Sequence, residues 1–101
     1  MLLAIGGCTR KAPPGPVLSP DGNLTLVTTI DPSRADPAAY LCVVFEIRDP
    51  TGKVLHKENT RASDLHRWKM SWDSNEVIRL ESADIGTRFW SRQPNGEWKK
   101  N

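Results

Sequence analysis

From residue 24 onward the chain repeatedly alternates apolar and polar positions with a period of two, the spacing of half-buried strands rather than helices. Leu24, Leu26, Thr28 and Ile30 alternate with Thr25, Val27 and Thr29. Leu41, Val43, Phe45 and Ile47 form the cleanest apolar face, while the opposite face grades from Cys42 and Val44 to Glu46 and Arg48. Val43, Phe45 and Ile47 are therefore expected on the buried face of a central strand. Further strands are expected near 54–59, 67–72, 77–81 and 87–92, with a short last one around Trp98. No stretch has the 3.6-residue periodicity of a long amphipathic helix. Residues 62–66 have room for one turn, with Ser63 as its cap.

The turns sharpen this picture. Arg48-Asp49-Pro50-Thr51-Gly52 and Arg92-Gln93-Pro94-Asn95-Gly96 share the pattern Arg-x-Pro-x-Gly, and Ser19-Pro20-Asp21-Gly22-Asn23 corresponds more loosely to Ser71-Trp72-Asp73-Ser74-Asn75. Proline at the second position of a type I turn, followed by glycine in the left-handed region, makes a three-residue hairpin loop with a bulge. A Pro94-Asn95-Gly96 loop sets Gln93 opposite Glu97 and Arg92 opposite Trp98. Trp90, Arg92 and Trp98 then share one side of the sheet, with Phe89 on the other. That trio is the candidate binding site, since aromatic and arginine side chains are enriched at binding hot spots. The same positions also suit a core edge covered by a snorkelling arginine. Between strands, Glu81 to Gly86 is expected to turn the chain, with Asp84 bonding a nearby amide and Gly86 at positive φ.

Together these elements predict an all-β domain, a small antiparallel sheet or sandwich of about six to seven strands built from two halves. The pieces resemble β-propeller blades over roughly residues 19–55 and, less well, 71–98, where a Ser-Pro-Asp-Gly turn opens a strand and an Asp-x-x-x-Gly-Lys turn closes a later hairpin. A ring needs at least about four blades, so two blade-like halves imply a small antiparallel sheet or sandwich instead.

Ahead of this domain, Lys11 to Pro20 carries four prolines. Proline removes backbone donors and favours extended polyproline II, so these residues reach roughly 30 Å at about 3.1 Å each. Before them, Ile5-Gly6-Gly7-Cys8 places small residues directly ahead of a cysteine. This tetrad resembles the lipobox of bacterial lipoproteins. The resemblance implies cleavage before Cys8, a diacylglycerol on its thiol, and acylation of its new amine by a chain such as palmitate. More than one acyl chain is needed for stable anchoring. A secretory signal needs a basic start and about 7–15 apolar residues, whereas only Met1 to Ile5 precede the glycines here, so the true start codon is expected upstream. The expected organisation is a truncated signal peptide at 1–7, an anchor cysteine and proline-rich tether at 8–20, and one β domain at 21–101. Thr9 stands where aspartate retains enteric lipoproteins at the inner membrane, so the resemblance implies an outer-membrane location facing the periplasm.

Charge and composition narrow the function classes. Fourteen basic residues against twelve acidic ones give +2, too small and too dispersed for a nucleic-acid partner. Four tryptophans, all at or after position 68, supply large aromatic area to a domain too small for a generous core. Cys42 sits in an apolar run, where cysteine acts as a small buried hydrophobe; it is able to pair with Cys8 only if Cys8 is not acylated. His56, Glu58, Asp64 and His66 gather four potential ligands within eleven residues. Their spacing matches no metal motif, and a solvated strand face with a polar loop accounts for them equally. Ser63, Asp64 and His66 are triad residue types, yet three neighbours in one loop rarely converge as nucleophile, base and orienting acid. No nucleophile elbow, phosphate loop or zinc-helix motif is present.

The expectation is therefore a non-enzyme without cofactor, tethered to a membrane through Cys8 and binding a protein of the cell envelope. The alternatives are a structural or self-associating envelope component, and a soluble ligand-binding module without an anchor.

Overall fold

A computed structural model describes residues 14–31 and 41–101. The tetrad ending at Cys8 and the first part of the tether lie outside these residues. Eight strands follow in order: β1 (Val17–Leu18), β2 (Thr25–Ile30), β3 (Cys42–Arg48), β4 (Val54–Ser63), β5 (Trp68–Ser74), β6 (Val77–Ser82), β7 (Gly86–Arg92) and β8 (Trp98–Lys100). They form two four-stranded antiparallel meanders, β1-β2-β3-β4 and β5-β6-β7-β8. The domain is an all-β sandwich of two halves, as its alternation and turns predict.

One strand more than expected is present. β1 lies among the prolines of the expected tether and pairs with β2 through Val17↔Leu26 and Leu18↔Thr25, so the fold begins before residue 21. Ser19 is buried behind it, its Oγ accepting the Leu24 N–H at 3.1 Å.

Alternating side chains of each sheet meet in a single core. Leu24, Leu26, Val43, Phe45, Ile47 and Ala62 from the first half pack with Met70, Ile78, Leu80, Trp90 and Trp98 from the second. Val43, Phe45 and Ile47 are completely buried, and their strand lies inside its sheet between β2 and β4. Phe45 meets Trp90 edge-on with ring centroids 4.9 Å apart, the kind of aromatic pair that contributes beyond its buried area. Cys42 is a buried free thiol.

Four hydrogen bonds also stitch one sheet to the other. The Trp72 indole N–H donates to Val17 O at 2.9 Å, Asp21 N–H to Asn75 Oδ1 at 2.8 Å, Ser63 N–H to Asp84 Oδ2 at 2.9 Å, and the Trp90 indole N–H to Glu58 Oε2 at 2.9 Å. The first two sit beside β1, and the last joins β4 to β7. β1 and β2 therefore lie over β5, and β4 lies over β7.

Both Arg-x-Pro-x-Gly segments are the expected hairpin loops. Gly52 N–H donates to Asp49 O and Gly96 N–H to Gln93 O, with both glycines near φ 90°. Arg92 pairs with Trp98, and Gln93 N–H donates to Glu97 O. The looser match differs in structure, since Ser19 to Asn23 form the β1–β2 turn while Ser71 to Ser74 belong to β5, yet the strands that follow open 52 residues apart at Thr25 and Val77. Ser19 and Ser71 are 52 residues apart but Arg48 and Arg92 only 44, and the missing eight residues are the extra length of the 31–41 connection over 83–85. The halves nevertheless differ by one step of register. Leu26 pairs with Ile47, whereas Ile78 pairs with Trp90 and not with Ser91. That step turns Trp90 into the core and leaves Phe89, the sequence counterpart of Phe45, half-buried opposite Arg79 on the outer face.

Two turns carry aspartates whose carboxyls sit below their ordinary value. The Ser19 hydroxyl, assisted by the Asn23 amide, lowers Asp21, and the Thr51 hydroxyl does the same for Asp49, assisted by the amides of Lys53 and Thr51. A carboxyl with a folded pKa below its unfolded one contributes stability above the unfolded value and loses it as pH falls through the folded one. The amide resonances of Asn23 and Thr51, which donate to these carboxylates, are expected to shift with midpoints below 3.8 when followed by NMR. A midpoint at or above that value contradicts the bonding described.

Candidate functional site

β4 is the edge of its sheet among the described residues, and its alternation carries polar side chains onto the inner face. Glu58 stands opposite Phe45 and His56 opposite Ile47, so both point toward the second sheet rather than onto a solvated outer face. They are half-buried there because no further strand covers that side. His56 Nε2–H donates to Glu58 Oε1 at 2.9 Å, while Glu58 Oε2 takes the Trp90 indole N–H. One carboxylate thus binds two donors, and the imidazole packs against Phe45 with centroids 5.8 Å apart. Removing that acceptor leaves a buried indole N–H unmet, which costs about 1–3 kcal/mol. Glu58→Ala is expected to lower stability by that amount in denaturant unfolding, and Glu58→Gln to lose less, since its carbonyl still accepts.

Beside this pair a cleft of about 560 Å³ opens between the start of β4 and the β7–β8 hairpin. It is lined by Leu55, His56, Arg92, Asn95, Trp98 and Lys99, together with Gly96 and Glu97. Leu55 reaches its rim because a bulge interrupts the pairing between Ile47↔His56 and Arg48↔Val54. Two smaller clefts, about 380 Å³ around Leu18, Thr25, Arg48 and Pro50 and about 280 Å³ around Thr29, Val44, Lys57 and Asn59, are also present.

The geometry redistributes the residues singled out in the sequence. Trp90 and Trp98 are 1% and 4% exposed, so they form core and not an exposed aromatic patch, while Arg92 stays exposed at the sheet end. The core-edge alternative describes these indoles. The physical reason is that β4 closes over β7, so the Trp90 ring is sealed by Phe45 and Glu58. Trp98 meets Trp72 edge-on at 6.0 Å and lines the cleft, but its indole N–H is buried without an acceptor. Of the trio, Arg92 and Trp98 share the cleft and Trp90 does not.

Of the four potential metal ligands, only His56 and Glu58 come together. Asp64 Oδ1 accepts the Leu41 N–H in the β4–β5 turn, and His66 is exposed. Among the described residues no group of three or more His, Cys, Asp or Glu side chains is placed to hold a metal. Ser63 is buried and its Oγ accepts the Leu65 N–H, so its hydroxyl is not presented to a substrate. Asp84 accepts the Ser63 amide of the other half and not a nearby amide of its own turn, where Ser82 Oγ accepts the Asp84 and Ile85 N–H groups instead; Gly86 has φ 87° as expected. Sequence reasoning missed the inward direction of His56 and Glu58. The available signal was their pairing distance from Phe45 and Ile47 across the Pro50-Thr51-Gly52 loop, obscured by the bulge at Leu55.

Comparisons with protein-family models, curated proteins and solved structures find no match to this chain.

Proposed function

We propose that the chain is a non-catalytic binding module of the bacterial cell envelope, held at the outer membrane on a lipid-modified Cys8 and facing the periplasm. The observation that carries this reading is the run from Ile5-Gly6-Gly7-Cys8 through a proline-rich segment directly into β1. A small tethered sandwich with a cleft at its far sheet edge suits an accessory that engages another envelope protein. β1 adjoins the tether, whereas β4 and its cleft lie across the width of the sheet, about 14 Å away at roughly 4.8 Å per strand. Self-association through β4 is the weaker alternative. Its edge carries Lys57 and a bulge in which Arg61 takes φ 70°, and lysines and bulges are devices that discourage strand addition.

Detergent phase partition of the native protein tests the reading. Recovery in the membrane fraction, released only by detergent, is the expected result. Recovery in the soluble fraction without detergent contradicts it.

A further inference from the structure

We infer that the cleft between β4 and the β7–β8 hairpin takes a carboxylate side chain from an acidic, apolar-flanked peptide segment of the partner protein. The inference rests on the binding-module reading above and names the chemistry of its partner.

The lining is rich in donors and poor in acceptors. Arg92 and Lys99 both line the cleft, and neither has an ion-pair partner in the described structure. His56 adds a third nitrogen-bearing side chain, its Nε2 already held by Glu58. Trp98 adds an indole N–H that is buried without an acceptor, in a residue 4% exposed. Buried indole N–H groups usually find a partner, so this one, in a residue that lines the cleft, is a readout of what the cleft holds. Glu97 is the one carboxylate in the lining, and it forms no ion pair with Arg92 or Lys99. A guanidinium presents a planar fork that fits a carboxylate through two parallel hydrogen bonds, which favours a carboxylate over a neutral amide.

The rim gives the second half of the specificity. Leu55, which lines the cleft with Arg92 and Lys99, is 41% exposed, so an apolar side chain next to the acid has a surface to cover. A volume of about 560 Å³ is sufficient for one or two side chains. The cleft lies along a sheet edge and is open to solvent, which admits a continuous chain more readily than a closed cavity does.

The full chain in detergent micelles, with its tryptophan indoles ¹⁵N-labelled and Trp98 assigned through Trp98→Phe, provides the test. An end-capped peptide alternating glutamate and leucine is expected to move the Trp98 indole resonance. Its glutamine counterpart is expected to bind at least about tenfold more weakly, as does the glutamate peptide to Arg92→Gln, a change of about 1.4 kcal/mol. Lys99→Gln is expected to weaken binding less, and neither variant to lower the melting midpoint. Equal binding of the two peptides, or a Trp98 resonance that neither moves, overturns the inference. Acetate or inorganic phosphate binding as tightly as the peptide also overturns it, because the site then takes a free anion. These outcomes are separate from membrane attachment, which phase partition reads in the same preparation, so a soluble protein with the expected peptide preference sinks the tether and leaves the cleft standing.

Discussion

Replacing Phe45 by alanine is expected to remove about 3–5 kcal/mol of stability. Phe45 is fully buried at the centre of the first sheet, stacks its edge against Trp90 and supports His56 from beneath. Truncation loses the transferred apolar area and leaves a cavity that two rigid sheets are poorly able to close. Domains of this size have total stabilities of about 5–15 kcal/mol, so the variant loses a large share of what holds it folded. Phe89→Ala offers the contrast. Phe89 occupies the matching sequence position in the second half but lies half-buried on the outer face, and its loss is expected to be clearly smaller. Chemical denaturation of the two variants side by side checks both. Equal losses contradict the one-residue difference in register between the halves.

Replacing Cys8 by alanine is expected to move the protein from the membrane fraction to the soluble fraction without altering its unfolding midpoint. Acyl chains contribute about 0.8 kcal/mol per buried methylene, so two or more provide the whole of a stable attachment. Among the described residues no helix is long and apolar enough to cross a membrane. Fractionation of cells expressing each form from the native locus makes the comparison. A Cys8→Ala protein that stays with the membrane assigns attachment to the folded domain instead.

The period of two was clearest where one face is buried, as on β2 and β6, whereas β3 buries both faces at its start and β7 buries Trp90 alone. The hairpins were legible because proline and glycine have few alternatives at the positions of Pro94 and Gly96. β1 was not, since two residues among prolines make no alternation, and the Trp72 indole that holds Val17 is 55 residues away. The end of β4 was obscured where Thr60 turns its hydroxyl onto Val43 O and Arg61 takes a positive φ, breaking the period before Ala62 returns to the core. At the cleft, Arg92 and Trp98 could be placed together from turn geometry alone. Whether their face was core or surface depended on the second sheet, and that is a property of packing between halves rather than of either hairpin.

The most direct measurement of the account's central claim is the intact mass and N-terminal peptide of the native protein. The account predicts a mature chain beginning at Cys8, its thiol carrying diacylglycerol and its amine an acyl group. An unmodified Cys8 within a chain that retains Met1 contradicts it.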